Sequence, residues 1–412
     1  MLLEFSERIA SDEFAQIARH PDFPNAFRRN RKLPLPALIA SLLSMRNQSQ
    51  QAMLDSFFAS VRDTSSPVRV VSDRAFAKAR DRLHSAALIS LNDLVVGRAD
   101  EAGLIERWCG LRVVAGDASL LMPSVRPCLL QRSAAEPEQR LFALYLPGAE
   151  LTLHASVHSA LVGERSMLVQ ALDVLGPDDL LVLDRGYPAV WLVALLNARG
   201  IRFVMRCDND SGWSATKAFL RSSTDEAWVK LKAPSADDVR DWGCPASAPE
   251  VRLVRQTSAN GQLRVLLTNL DSQDYPCHAF AALYHQRWRI EEAFKRIKLR
   301  LKLEAVSGLS QQALLIDVAA KILADNIASL MCAAAGVHAG LASRSRKCNR
   351  SYAATFMQRV LPRLVLFIGD VCAAIAHAID MLAANSQQFK PGRSRPRPQR
   401  HVKPHPSNSY KG

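Results

Sequence analysis

Residues 179–207 read DLLVLDRGYPAVWLVALLNARGIRFVMRC, and their pattern sets the fold class. The apolar run Leu180 to Leu183 ends in Asp184, followed at once by the turn formers Gly186 and Pro188, as a buried strand does. AVWLVALLNARG then has the apolar density of a helix, and IRFVMRC reads as another strand. Strand, helix and strand in succession make an α/β core.

Working outward, LRVVAGDASLLMP from Leu111 and ELTLHASVHSAL from Glu150 read as earlier strands of the same core. Residues 208–270 are polar and turn-rich and close with EVRLVRQTSANGQLRVLLTNL, where Asn260-Gly261 between alternating apolar residues marks a hairpin. This segment is expected to be a β-rich insertion. Helical patterns follow over Ala279 to Leu303, Gln311 to about Ala334, and Tyr352 to Ala384. The first 95 residues or so are helical, punctuated by Pro21, Pro24, Pro34, Pro36 and Pro67. The expected organisation is a helical N-terminal domain over 1–100, a catalytic domain over 105–335, C-terminal helices over 340–387 and a basic disordered tail over 388–412.

The bulk numbers agree with a multi-domain globular chain: 412 residues, 48% hydrophobic and 22% charged. Lys and Arg number 53 against 39 Asp and Glu, a formal charge of +14 that puts nucleic acid first among partners. Eight cysteines contain no close pair, which excludes a zinc ribbon and a CxxC redox motif and suits reduced thiols in the cytoplasm. Glu4 and Glu7 stand where a secretory signal carries basic residues. The apolar stretch from Leu364 is broken by Asp370, His377 and Asp380, so a buried helix pair is expected rather than a membrane span.

Basic groups recur near the ends. In SDRAFAKARDRLH, Ser72 is a candidate N-cap, and Arg74, Lys78 and Arg82 fall on one stripe at about 100° per residue. This stripe reads equally as a DNA-contacting helix face and as a solvated surface. FRRNRK at 27–32 adds charge nearby, and the acid-free tail from Lys390 reads as a phosphate-tracking arm or a solubilising one.

Three carboxylates carry the candidate chemistry. Asp117 and Asp184 each end a core strand, where α/β sheets place their sites. The third lies in ALYHQRWRIEEAFKRIKLRLKLE, where Tyr284, Arg287, Glu291 and Lys298 span only about 60° of a helix and border the apolar arc of Leu283, Ile290, Phe294, Ile297 and Leu301. Glu292 projects about 100° away, so Glu291 is expected to face inward. Oxygen ligands suit a hard divalent cation, and flanking Tyr, Arg and Lys suit phosphate. Taken singly, an Asp at a strand end is more often a turn or helix cap; the combination makes the case.

Tyr284, Arg287, Glu291 and Lys298, with Trp288 beside them, match the Tyr-Arg-Glu-Lys signature of the DDE transposases of bacterial insertion sequences, and the chain resembles their IS-four family. VVAGDASLLMP is similar to that family's first-aspartate strand, LLVLDRGYP to the second, and RVLLTNL to the strand before the glutamate helix. The resemblance covers most of residues 30–310, with Ala118 where the family often has Gly.

It implies an RNase H-like catalytic core with a β-rich insertion, two Mg²⁺ ions that Mn²⁺ can replace, and Asp117, Asp184 and Glu291 as catalytic metal ligands. Tyr284, Arg287 and Lys298 would contact DNA, joined on charge grounds by Arg185 and by Arg74, Lys78 and Arg82. The implied activity is cutting at terminal inverted repeats and joining to target double-stranded DNA, by a homodimer on the nucleoid. Relatives stack an aromatic of the insertion on a flipped base, and Trp213, Trp228 and Trp242 are available, but core packing is the better reading of each and none is assigned that role. Two other readings use the same residues: a metal-dependent nuclease that does not join ends, and a silent DNA-binding regulator derived from a transposase.

Overall fold

In the computed structural model, residues 1–29, 31–44, 49–123, 136, 138–207, 213–257, 263–306, 308 and 310–389 are described. The basic tail, from Lys390 on, and the Asn260-Gly261 turn lie outside them. The described chain is mixed α/β and packs into two compact units: one of residues 1–102, 120–139 and 294–412, the other of residues 103–119 and 140–293.

The second unit is built on a nine-stranded sheet of β1 (Arg107–Trp108), β2 (Leu111–Leu121), β3 (Gln139–Leu146), β4 (Leu151–Ser159), β5 (Asp179–Leu183), β6 (Arg202–Cys207), β7 (Glu226–Lys230), β8 (Glu250–Thr257) and β9 (Leu263–Thr268). The order is β4-β3-β2-β5-β6-β9-β8-β7, with β1 antiparallel to β2. Strands β2, β5 and β6 run parallel, and all five residues of β5 are buried, as expected of a strand flanked by parallel neighbours. The helix Val190–Ala198 connects β5 to β6, matching the pattern of residues 179–207.

Strands β7, β8 and β9 do not form a separate sheet. They extend the same sheet antiparallel from β6, with Val204 opposite Thr268 and Leu253 opposite Leu267. The pairing of Thr257 with Leu263 brackets the Asn-Gly position as a hairpin would.

The first unit is helical, apart from the end of β2, the start of β3 and a two-stranded ribbon, Arg346–Cys348 with Ser386–Gln388. Its axis is the 28-residue helix Gln311–His338, capped by Ser310 and packed on the helices Ser85–Glu101, Leu35–Ser44 and Val371–Ala384. Leu364 and Val365, from the most apolar late stretch, are fully buried in this unit. Among the described residues no helix is long and apolar enough to cross a membrane.

Candidate active site

The parallel register of β2 and β5 pairs Val113 with Leu180 and Ala115 with Val182. Two places further along each strand stand Asp117 and Asp184. Period-two alternation puts both acids on the face that carries Leu111, Val113, Leu180 and Val182, an apolar layer covered by Phe280, Leu283 and Tyr284. The acids therefore share one face, Asp184 one residue past the end of β5; β2 runs on to Leu121, so Asp117 lies inside that strand and not at its end as its sequence suggests.

The backbone after β5 is bound tightly. Asp184 Oδ1 accepts the Gly186 N–H at 2.7 Å, turning the chain out of the strand. Arg165 donates to the carbonyls of Tyr187 and Pro188 at 3.0 and 3.1 Å, fixing the rest of the turn. A Cβ at Gly186 would lie 3.1 Å from Asp184 Oδ1 and 3.8 Å from Glu164 Oε2, so this glycine leaves room where two carboxylates meet.

The segment bearing Glu291 differs from the single regular helix that its spacing predicts. It runs as a 3₁₀ turn Cys277–Ala279, a helix Phe280–Gln286, a break at Arg287, a helix Trp288–Lys295 and a π-helical turn Arg296–Arg300. At the break the Arg287 N–H reaches back only to the Tyr284 carbonyl and the Ile290 N–H only to that of Arg287, shortening the turn. The constant 100° step fails there and again at the π turn, so Lys298 does not follow Glu291 along one regular stripe. Buried Arg252 anchors the start of this segment, donating to the carbonyls of Asp271 and Tyr275 at 2.8 and 2.7 Å and to Glu226.

Arg287 itself is buried, its side chain 7% exposed, and stands between two acids. Nη1 is 3.8 Å from Asp117 Oδ2, and Nη2 donates to Glu291 Oε1 at 3.4 Å. Glu291 is half-buried and Glu292 exposed, in line with the angular argument. Tyr284 is buried with its ring under the Arg287 guanidinium, 5.9 Å from its centroid.

Charge in this site is poorly compensated. Burial, and next the Asp184 carboxylate, push the Asp117 carboxyl up to about 7, although Arg287 and the Ala118 N–H pull the other way. Glu164, at the start of the helix Glu164–Ala171, is raised by burial and by Asp184 despite Arg140 at 3.6 Å. Burial raises the phenols of Tyr187 and Tyr284, and at Tyr187 the charges of Asp117, Glu164 and Asp184 add to the effect. Three buried polar atoms here have no hydrogen-bond partner: Tyr187 Oη, Arg287 Nε and Arg287 Nη1.

The structure thus brings Asp117, Asp184, Arg287, Glu291 and Tyr284 into one region of the second unit. Arg185 is exposed on the turn after Asp184. Lys298 belongs to the first unit, 3.6 Å from Glu304. Arg74 and Lys78 are exposed on the helix Asp73–Arg80, whose N-terminus Ser72 caps as its sequence predicts. That helix stops short of Arg82, which leaves the stripe and lies over the Phe23 ring at 5.8 Å. Of the insertion tryptophans, Trp242 stacks on Trp191 at 4.2 Å and Trp228 is 47% exposed; the Trp288 side chain lies outside the described residues. The sequence reading missed Glu164, Arg165 and Tyr187. Tyr187 could have been found from its place three residues after Asp184; for Glu164 and Arg165, which lie in no strand-end pattern, there is no such signal.

Whether a divalent cation suits this region can be tested on these groups. The donors are carboxylate oxygens, the choice of a hard ion. The raised Asp117 carboxyl marks negative charge that a cation would relieve, and Tyr187 Oη marks a buried polar atom awaiting a partner. Among the described residues no three His, Cys, Asp or Glu side chains converge tightly enough to grip one ion; between Asp117 and Glu291 the positive charge is supplied by Arg287. The donor chemistry fits, with Asp117 and Asp184 as its centre.

The chain is similar to known transposases. Over 307 residues the chain is 22% identical to transposase InsG for insertion sequence element IS4 of Escherichia coli (strain K12), covering 70% of this chain and 67% of that protein. The piggyBac transposase synaptic complex with hairpin DNA aligns over 95% of this chain and 87% of its own, at 12% identity and a TM-score of 0.43. The family described as Transposase DDE domain matches residues 134–327, a span containing Asp184, Tyr284, Arg287, Glu291 and Lys298.

Proposed function

We propose that this protein cuts DNA at the terminal inverted repeats of an insertion sequence and joins the freed ends to target DNA, using an RNase H-like core. The observation that carries the reading is the parallel register of β2 and β5, which counts on to Asp117 and Asp184 on one face, with Arg287 reaching Asp117 and Glu291. Asp117, Asp184 and Glu291 would hold two Mg²⁺ ions, with Mn²⁺ able to substitute. Such ions neutralise the attacking and leaving oxygens of an in-line phosphodiester displacement.

The protein's own groups do the rest. Among the described residues Arg287 has two buried nitrogens without hydrogen-bond partners, which would donate to a phosphate oxygen. Tyr284, with its phenol raised by burial, stays protonated and serves as a neutral donor. Lys298, Arg185, Arg74, Lys78 and Arg82 supply further phosphate contacts, which orient DNA without reading its sequence. Holding two element ends at once calls for a homodimer on DNA, acting at the nucleoid.

The test is cleavage and strand joining on a plasmid carrying the gene with its flanking DNA, with and without Mg²⁺. Cuts at the element ends that need metal, survive Glu292→Ala and vanish with Glu291→Ala are the expected result. Cutting without joining would assign the protein as a plain nuclease. Binding of the ends without cutting would assign a regulator.

A further inference from the structure

Glu164 belongs to no motif that the chemistry above uses. It opens the helix Glu164–Ala171 and lines a cavity of about 460 Å³ together with Arg140, Arg165, Gly186, Trp191 and Trp242. Two observations place its carboxylate beside the acids of the strands. A Cβ on Gly186 would meet both Asp184 Oδ1 and Glu164 Oε2, so the two carboxylates border the same small space. The Tyr187 hydroxyl, on a fully buried side chain and without a hydrogen-bond partner, is under the combined electrostatic influence of Asp117, Glu164, Asp184 and Arg287. A buried hydroxyl left unsatisfied is costly, and it is expected where a bound ligand or ordered water supplies the missing partner.

The basic residues nearby do not meet this need. Arg165 spends its guanidinium on the carbonyls of Tyr187 and Pro188, and Arg140 reaches Glu164 only at 3.6 Å from a side chain that is 34% exposed. A second acid beside Asp184 is therefore a cost that a cation would offset.

We propose that Glu164 is a fourth acidic residue of the active site, a positioning residue that accepts hydrogen bonds from the water shell of a divalent cation held at Asp184, with the Tyr187 hydroxyl completing the same shell. The proposal rests on the metal-dependent reading above. Groups around first ligands in this manner change metal affinity by about 10- to 100-fold when removed.

The test is titration of the full chain with Mn²⁺ alone, reading the free-ion electron paramagnetic resonance signal, for wild type and for Asp184→Asn, Glu164→Gln, Glu164→Asp and Arg140→Ala. The expected result is Mn²⁺ binding by wild type, its loss in Asp184→Asn, a Kd raised about tenfold in Glu164→Gln, an intermediate value in Glu164→Asp, and no weakening in Arg140→Ala. Circular dichroism checks folding; if Glu164→Gln does not fold, Glu164→Asp carries the test, and a wild-type Kd there overturns the proposal. Glu164→Gln binding like wild type while Asp184→Asn fails overturns the proposal and leaves the metal reading intact. Equal weakening by Glu164→Gln and Arg140→Ala shows that the carboxylate serves only its ion pair, and also overturns it. Wild type that takes up no Mn²⁺ removes the metal reading and the proposal together.

Discussion

Two of the places where the described residues bury charge treat it in opposite ways. In the helical unit Arg296 and Asp325 pair at 2.9 and 3.0 Å with both side chains almost wholly buried, Lys321 donates to the carbonyls of Lys302 and Ala305 at 2.7 and 2.8 Å, and Asn326 donates to Asn92 at 2.7 Å. Each charge meets a partner of suitable geometry, the condition under which a buried polar network holds a fold in one arrangement. In the sheet unit Asp117 is pushed toward neutrality, Arg287 is divided between two acids at long range, and the Tyr187 hydroxyl has no hydrogen-bond partner among the described residues. The first set is complete as folded; the second leaves charge and a hydroxyl uncompensated by protein groups among the described residues. Buried charge thus marks function by how poorly it is satisfied.

The largest expected effect separates the two regions by activity. Asp117→Asn should lower DNA cleavage by roughly 10³-fold or more, measured on plasmid substrate, because a catalytic set fails when one member is lost. The same change removes a poorly compensated buried charge, so the thermal midpoint of the metal-free chain should stay level or rise. A lowered midpoint would place Asp117 with the structural charges instead.

Next comes the converse substitution. Asp325→Ala leaves Arg296 buried without its acid and should cost about 3–5 kcal/mol in denaturant unfolding. A loss of less than about 1 kcal/mol would mean that the helical unit tolerates open charge as the sheet unit does.

A smaller effect sharpens the contrast through pH. The Asp117 carboxyl is raised from the ordinary range near 4 to about 7. Between those values the folded chain binds more protons than the unfolded one, so this residue's contribution is full below about pH 4 and is lost as pH rises through 7. Metal-free wild type should therefore lose about 3–4 kcal/mol across that interval relative to Asp117→Asn, read from paired urea titrations. Equal slopes for the two proteins would show that the carboxyl titrates normally.

The smallest expected change lies at the surface, away from both buried sets. Arg74→Ala and Lys78→Ala should each weaken DNA binding only a few-fold and reduce the slope of log affinity against log salt by about 1, whatever the sequence. An unchanged slope would leave that helix face merely solvated.

Legibility in the sequence followed the range of the interactions involved. Strand β5, its following helix, the Ser72 cap and the strands flanking Asn260-Gly261 are set by neighbours along the chain, and local pattern finds them. That β9 pairs with β6, Thr268 opposite Val204, depends on residues far apart, so the strands of the insertion could not be seen as extensions of the main sheet. Arg296 and Asp325 lie 29 positions apart, and nothing local distinguishes this buried arginine from its exposed neighbour Lys295. In the site region, Asp117 and Asp184 stand out because apolar runs lead into them. The helix break at Arg287 escaped because angular counting assumes a constant step. Glu164 escaped because only the folded turn at Gly186 brings it beside Asp184.

The register of β2 and β5 also bears on how such a chain can change over time. Because Asp117 and Asp184 reach their shared position by equal counting along two parallel strands, substitutions elsewhere in those strands alter packing but leave the acids aligned. A one-residue insertion between Leu180 and Asp184 would swing the acid to the opposite face, with no smaller version of the error available. Lineages carrying this pair should therefore drift freely in composition while keeping the strand lengths ahead of the acids fixed, so that deletions and insertions collect in the connecting loops.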